Sequence, residues 1–196
     1  MIFPKIYLAS NSPRRSELLS QIAVEFNKLS LDIDEMVLQN ESAETYVNRL
    51  AITKAQAGWQ LLSTQEKRPV LGSDTAVVLD QTILGKPQDH DEAKSMLQQL
   101  AGREHQVMTV VALIFQQHVL TALSVNTVTF DPLSQDQIMW YVSTGEGVDK
   151  AGAYAIQGRA AMYINHISGS YSGIMGLPLN ETATLLSKMN ELMNEQ

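Results

Sequence analysis

Asp74 stands inside an apolar run, Val70 to Leu79, that is interrupted by Ser73-Asp74-Thr75. A carboxylate within such a strand costs several kcal/mol of desolvation unless it is paired, bound to a metal ion or open to a cleft. A structural ion pair would satisfy it as well as a chemical role would. Lys54 poses the same question, because at ~100° per residue it falls inside the apolar stripe of its helix. Its plain alternative is a stem packed on the helix face with the ammonium reaching water. A third candidate is Ser10-Asn11-Ser12-Pro13-Arg14-Arg15. It sets free backbone N–H groups, the positive end of a helix dipole and two guanidinium groups at the end of a strand, which suits a phosphate. A capped helix with exposed arginines has the same sequence signature. Asp34 and Glu35 form the acidic pair that follows a strand, and with Asp74 they could offer hard oxygen ligands to Mg²⁺ or Mn²⁺. Adjacent acids are more often simply solvated.

Other residue types are less informative. His90, His105, His118 and His166 show no zinc-ligand spacing. Gly152, Gly158, Gly169, Gly173 and Gly176 read as turn and close-approach positions but form neither a Walker nor a Rossmann pattern. The nine methionines lie mostly in apolar patterns and read as core filler.

The elements that must position these residues follow from periodicity and caps. Residues 6–9 read as a buried strand, and Ser12-Pro13 opens a helix through Leu18, Leu19 and Ile22. A second strand is expected over residues 25–33. Ser42 then caps a helix with the stripe Ala43, Val47, Leu50, Ala51, Leu61. The strand 70–79 turns at Asp80-Gln81 into a short partner ending at Gly85-Lys86-Pro87. Asp89 with Glu92 resembles a capping box for a helix that ends at Gly102. Strands over 106–116 and 118–130 follow, then a helix capped by Ser134 and Gln137 that carries Ile138, Trp140, Tyr141 and Val142 and stops at Gly145. The polar, Gly-rich stretch 145–158 is too long for a plain connection. A strand over 162–167 and a last helix opened by Pro178 complete the chain. Helices alternating with strands, several of them hairpin-like, predict an α/β protein with a mixed sheet.

Composition bounds the function classes. The chain has 196 residues, 44% hydrophobic and 18% charged, which is ordinary for a globular protein and predicts a single domain over 1–196. With no cysteine, disulfides, thiolate metal sites and cysteine nucleophiles are excluded, and a reducing compartment is the expectation. The apolar run 107–115 is far below the ~18 residues that span a bilayer. Pro4 and Lys5 interrupt the only signal-peptide core that could be drawn, so the expected location is cytoplasmic. Fourteen Lys plus Arg against 21 Asp plus Glu give a net charge of −7 without a basic stripe. Neither nucleic acid nor an anionic membrane is an expected partner, while a small anion could bind where a few cations converge.

Taken together, Leu8-Ala9-Ser10-Asn11-Ser12-Pro13-Arg14-Arg15, Gly72-Ser73-Asp74-Thr75, Gly85-Lys86-Pro87, the segment from Asp149-Lys150-Ala151-Gly152-Ala153-Tyr154 to Gln157-Gly158, and Gly169-Ser170-Tyr171 with Gly176-Leu177-Pro178-Leu179 resemble, in order and spacing, the Maf family of nucleoside triphosphate pyrophosphatases. The resemblance covers nearly the whole chain. It implies a mixed, twisted sheet flanked by helices in two lobes with a central cleft, an architecture like that of the inosine triphosphate pyrophosphatases, and often a homodimer. It also implies hydrolysis of nucleoside triphosphates to the monophosphate and pyrophosphate with a divalent metal cation. Position by position, Asp74 matches the family's proton acceptor. Arg14, Thr75 and Gln157 match the positions that separate the dTTP/UTP subgroup from the one acting on 7-methyl-GTP. Ser10, Arg15, Glu35, Lys54 and Lys86 match other polar positions of the family's cleft. Ser10, Arg15, Lys54 and Lys86 would hold phosphates, and Glu35 with Asp74 the metal. Ser73 stands where alanine is common, and Asn11 where a small residue is usual.

The resemblance thus implies a hydrolase of dTTP, UTP and modified uridine triphosphates. The alternatives are a pyrophosphatase for modified purine nucleotides and a non-enzymatic inhibitor of cell division or septum formation. Uracil and thymine offer an N3–H donor flanked by carbonyls, and the Gln157 amide can accept from the first while donating to O4. Cytosine reverses the pattern, and an amide can flip to suit either.

Overall fold

A computed structural model describes residues 3–63 and 67–195 of the chain. Strand β1 (Ile6–Ala9) feeds helix α1 (Pro13–Gln21) through a tight loop, with Ser12 in extended backbone before Pro13 in the first turn. Proline is pre-set for that position and lacks only an N–H that would have had no partner. Strand β2 (Phe26–Leu29) pairs parallel to β1. It is shorter than residues 25–33 suggested, because the chain leaves the sheet after Leu29 and Leu31, Asp32, Ile33 and Glu35 turn to line the central cleft. Helix α2 (Ala43–Leu61) starts where Ser42 accepts a hydrogen bond from the Thr45 N–H.

Strand β3 (Val70–Leu79) is the axis of the molecule, buried at nearly every position. Along one edge it pairs antiparallel with β5 (Glu104–Phe115) from Val70 to Val78. Its other edge is shared: β1 takes Val70 and Leu71, and β4 (Thr82–Leu84) takes Val77 to Leu79. Residues 72–76 between these two partners are left without a neighbour on that edge, and Asp74 sits at the middle of the opening. Strand β6 (His118–Phe130) extends the sheet from β5, and β7 (Ile164–Ser168) closes it, giving the order β2-β1-β3-β5-β6-β7.

Period-two alternation divides the core. Leu71, Val111 and Leu113 face α1 (Leu18, Leu19) and α6 (Leu179–Asn194; Leu185, Leu186). Their even-numbered neighbours Ala112 and Ile114 face α2 through Val47, Ala51 and Ala55. Beyond the opening, Val77, Val107 and Val128 pack with α3 (His90–Leu100), α4 (Gln135–Ser143) and the 153–163 segment. The two expected lobes are therefore two ends of one mixed sheet.

Several local expectations are corrected. The Asp89 side chain caps Glu92 N–H, but Glu92 reaches back to Gln88 N–H instead of completing the box, and α3 ends at Leu100 before Gly102, whose φ is +69°. The Ser134–Gln137 box is complete. Within α4 only Ile138 and Tyr141 are buried, while Trp140 is 45% exposed. Residues 159–163 form a 3₁₀ turn before β7, and a one-turn helix α5 (Tyr171–Ile174) precedes α6. Met36, Met139 and Met162 are exposed, so only part of the methionine set is core filler.

Candidate functional site

All nine candidate residues line one cleft of about 760 Å³: Ser10, Arg14, Arg15, Glu35, Lys54, Asp74, Thr75, Lys86 and Gln157. Asp34 does not join them. Its carboxylate accepts from the Met36 N–H at 2.9 Å, a local turn bond, so the acidic pair contributes one member to the site.

The floor is a row of alternating charges. Lys54, just past the middle of α2, places Nζ 2.6 Å from Asp74 Oδ1 and 2.6 Å from Glu35 Oε1, and Lys86 Nζ lies 3.0 Å from Glu35 Oε2. Lys54 is thus neither a snorkelling cation nor a simple ion-pair partner: it bridges two carboxylates. Burial raises the Asp74 pKa, and the charges of Lys54 and Arg15 offset it only in part. Burial also works against Glu35, yet hydrogen bonds and charge from Lys54 and Lys86 prevail and hold it at about 2. The two acids are pushed in opposite directions, Asp74 toward its neutral form and Glu35 toward its anion.

The phosphate-like loop is also built. The Ser12 side chain caps nothing; its N–H donates to Ser10 Oγ at 3.2 Å. With no acid in the first turn and no side-chain cap, α1 keeps free N–H groups at its positive end. Arg14 borders the cleft, where its charge adds to the Lys150 hydrogen bond in holding the Asp149 carboxyl below its ordinary range, and no hydrogen bond engages its guanidinium among the described residues. Arg15 is different from the exposed cation its sequence suggested. Its guanidinium donates to Gly176 O at 2.8 Å, Ser10 Oγ at 3.3 Å and Thr75 Oγ1 at 3.3 Å. Burial lowers its pKa, against the raising effect of Asp74.

Arg15→Ala is therefore expected to lose about 1–3 kcal/mol of stability, the cost of stranding buried polar partners. Lys86→Ala, at an exposed position, is expected to stay within about 0.5 kcal/mol of wild type. Urea denaturation compares the two, and equal stability of both variants would contradict the buried role of Arg15.

The two residues that depart from the family pattern acquire local reasons. Ser73 Oγ donates to Gly176 O at 2.9 Å, and Asn11 Nδ2 donates to Leu31 O at 3.2 Å, tying the loop to the segment that carries Glu35. Gln157 is exposed at the cleft rim with no protein partner among the described residues. Sequence reasoning assigned no role to Lys150, which pairs with Asp149 and lines the cleft with a mostly buried side chain. Its place in the long 145–158 stretch was the available signal. His105, given no site, is buried against Tyr154, whose hydroxyl lies 2.8 Å from Nε2, and burial lowers its pKa to about 4.

No group of three or more His, Cys, Asp or Glu among the described residues could by itself hold a metal ion. Asp74 and Glu35 do fit an ion of the Mg²⁺ class, which is commonly held by one or two carboxylates and completes its shell with water and phosphate oxygens.

A mixed sheet opened beside a buried carboxylate, with cations around the opening, defines a cleft suited to a polyanion. The chain matches the Maf-like protein family over residues 5–189 and belongs to it. It is 52% identical over 186 residues to a dTTP/UTP pyrophosphatase of Pseudoalteromonas atlantica, covering 94% of this chain and 97% of that one. A dTTP/UTP pyrophosphatase of Xanthomonas campestris pv. campestris is 53% identical over 184 residues, covering 93% and 97%. One of Shigella dysenteriae serotype 1 is 49% identical over 191 residues, covering 97% and 96%. Among solved structures, the Staphylococcus aureus Ham1 protein shares the fold at a TM-score of 0.50 and 14% identity, covering 98% of this chain and all of that one. No helix among the described residues is long and apolar enough to cross a membrane.

Proposed function

We propose that this chain is a nucleoside triphosphate pyrophosphatase that hydrolyses dTTP, UTP and modified uridine triphosphates to the monophosphate and pyrophosphate. The observation that carries the reading is the meeting of Asp74, Lys54, Glu35, Lys86 and the arginine loop in one cleft at the opening of β3. Relatives at about half identity over nearly the full chain bear that activity in their names. The enzyme would work on the cytoplasmic nucleotide pool.

The free N–H groups of α1, Arg14, Lys54 and Lys86 bind the triphosphate, with Arg15 and Ser10 shaping the loop. A divalent cation held by Glu35 and Asp74 would supply charge neutralisation for the phosphates and the leaving group. Asp74 accepts the proton of a water that attacks the α-phosphorus. The α–β bridging oxygen leaves with pyrophosphate. Lys54 holds the Asp74 carboxylate in place and has one N–H left to donate to the incoming phosphates.

Steady-state assay of pyrophosphate release over a nucleotide panel, with and without Mg²⁺ or Mn²⁺, tests the reading. UTP and dTTP are expected to be the best canonical substrates, and turnover of 7-methyl-GTP alone would overturn it.

Gln157→Glu tests base selection. It removes an amide donor and sets a carboxylate against O4 of uracil, leaving an acceptor facing an acceptor. Because Gln157 is exposed in the free protein, the loss is expected in the lower part of the ~1–3 kcal/mol range, about 5- to 20-fold in kcat/KM for UTP. The ratio of UTP to 7-methyl-GTP turnover in one preparation is the readout. An unchanged ratio would mean that Gln157 does not read the base.

A further inference from the structure

Thr75 and Thr109 are direct cross-strand partners on β3 and β5, and their hydroxyl oxygens lie 2.9 Å apart. Thr109 is fully buried, and its hydroxyl donates to the Gly173 carbonyl at 2.8 Å. A threonine hydroxyl has one proton and two lone pairs. With the Thr109 proton committed to a carbonyl, the contact between the two hydroxyls requires Thr75 as the donor. Thr75 also accepts from Arg15 Nη2 at 3.3 Å. Donation thus runs one way, from Arg15 through Thr75 and Thr109 to Gly173 O. Thr75 lines the cleft with one lone pair left to offer.

We propose that Thr109 is a positioning residue that locks Thr75 as a hydrogen-bond acceptor toward the nucleotide, so that Thr75 selects for an N–H or O–H donor on the ligand. The inference rests on the pyrimidine triphosphate reading above. Ionised phosphate oxygens are acceptors and cannot be the group read. Uridine and thymidine triphosphates share two donors of the required kind, the imide N3–H and the sugar 3′-hydroxyl, since the 2′-hydroxyl of UTP is absent from dTTP. Without the Thr109 hydroxyl, the Thr75 proton is free to turn into the cleft, and the preference for a donor is lost.

The test is kcat/KM for UTP, 3-methyl-UTP and 3′-deoxy-UTP with wild type, Thr109→Val and Thr109→Ser under one metal condition. Wild type is expected to lose about 3- to 10-fold on the analogue that lacks the donor facing Thr75, the size of one hydrogen bond. In Thr109→Val that penalty should shrink to within about 2-fold, and Thr109→Ser should restore it. A purely structural role would lower all three substrates by one factor, and a steric penalty from the added methyl would persist in the valine variant; either result overturns the proposal. A wild type that handles both analogues as well as UTP also overturns it, and that arm needs no variant to fold. Failure of wild type to release pyrophosphate from UTP would overturn the functional reading and this inference with it, whereas an unchanged penalty overturns this inference alone.

Discussion

Asp74→Asn is expected to lower kcat by ~10²–10⁴, the range for removing a positioned acid or base, while the protein stays folded. The amide is isosteric and keeps an acceptor for Lys54, which also retains Glu35 at 2.6 Å. Burial raises the Asp74 pKa above its ordinary value of 3.8, so the stability it contributes is complete below that value and is lost as pH rises through the raised folded value. At neutral pH its ionised form is a burden on the fold, and a neutral isostere should not add to it. Thermal unfolding of the variant within a few degrees of wild type, together with the loss in kcat, is the expected pair of results. Near wild-type turnover in a well-folded variant would remove Asp74 from the chemistry.

Gly72→Ala is expected to damage the part of the scaffold that holds the site. A Cβ at Gly72 would lie 2.4 Å from Ala51 O and 2.6 Å from Ala55 N, both backbone atoms of α2. Backbone cannot swing aside as a flexible side chain can, so the helix must lift from the sheet or the strand must shift. Overpacking of this kind costs ~1–3 kcal/mol and at times more. It also has a functional consequence, because α2 carries Lys54 and β3 carries Asp74 two residues on. Displacement of one element against the other lengthens the 2.6 Å contact that organises the site. Urea denaturation should show the destabilisation, and kcat should fall even at temperatures where the variant remains folded. Stability within about 0.5 kcal/mol of wild type would contradict the close approach of helix to strand.

The parts of this fold that sequence exposes are those with strong local signals. β3 was legible to the residue because its apolar run is bounded by Pro69 on one side and the Asp80-Gln81 turn on the other. The starts of α1, α2 and α4 follow from Ser12-Pro13, Ser42 and Ser134–Gln137, where a cap or a proline marks the first turn. The end of β2 was not legible, since only tertiary structure draws the chain out of the sheet after Leu29 and sets Leu31, Asp32, Ile33 and Glu35 in the cleft. The 3₁₀ turn at Arg159–Tyr163 and the single turn α5 are too short for periodicity to register.

The same division runs through the site. A charge in an apolar pattern must be compensated, so Asp74 and Lys54 announced themselves, and the structure pairs them with each other. Arg15 gave no such signal: it lies in a polar stretch and reads as exposed, and only the fold brings Gly176, Ser10 and Thr75 around it. Thr109 is invisible to pattern reasoning because a threonine in mid-strand is an ordinary β-former. Its neighbour across the sheet becomes known only with the register of β3 against β5.

The most direct measurement of the central claim is where solvent oxygen ends up when UTP is hydrolysed in water enriched in heavy oxygen. Attack at the α-phosphorus beside Asp74 puts the label in the monophosphate and releases unlabelled pyrophosphate. Label in the pyrophosphate, or stepwise release of single phosphates, would contradict it.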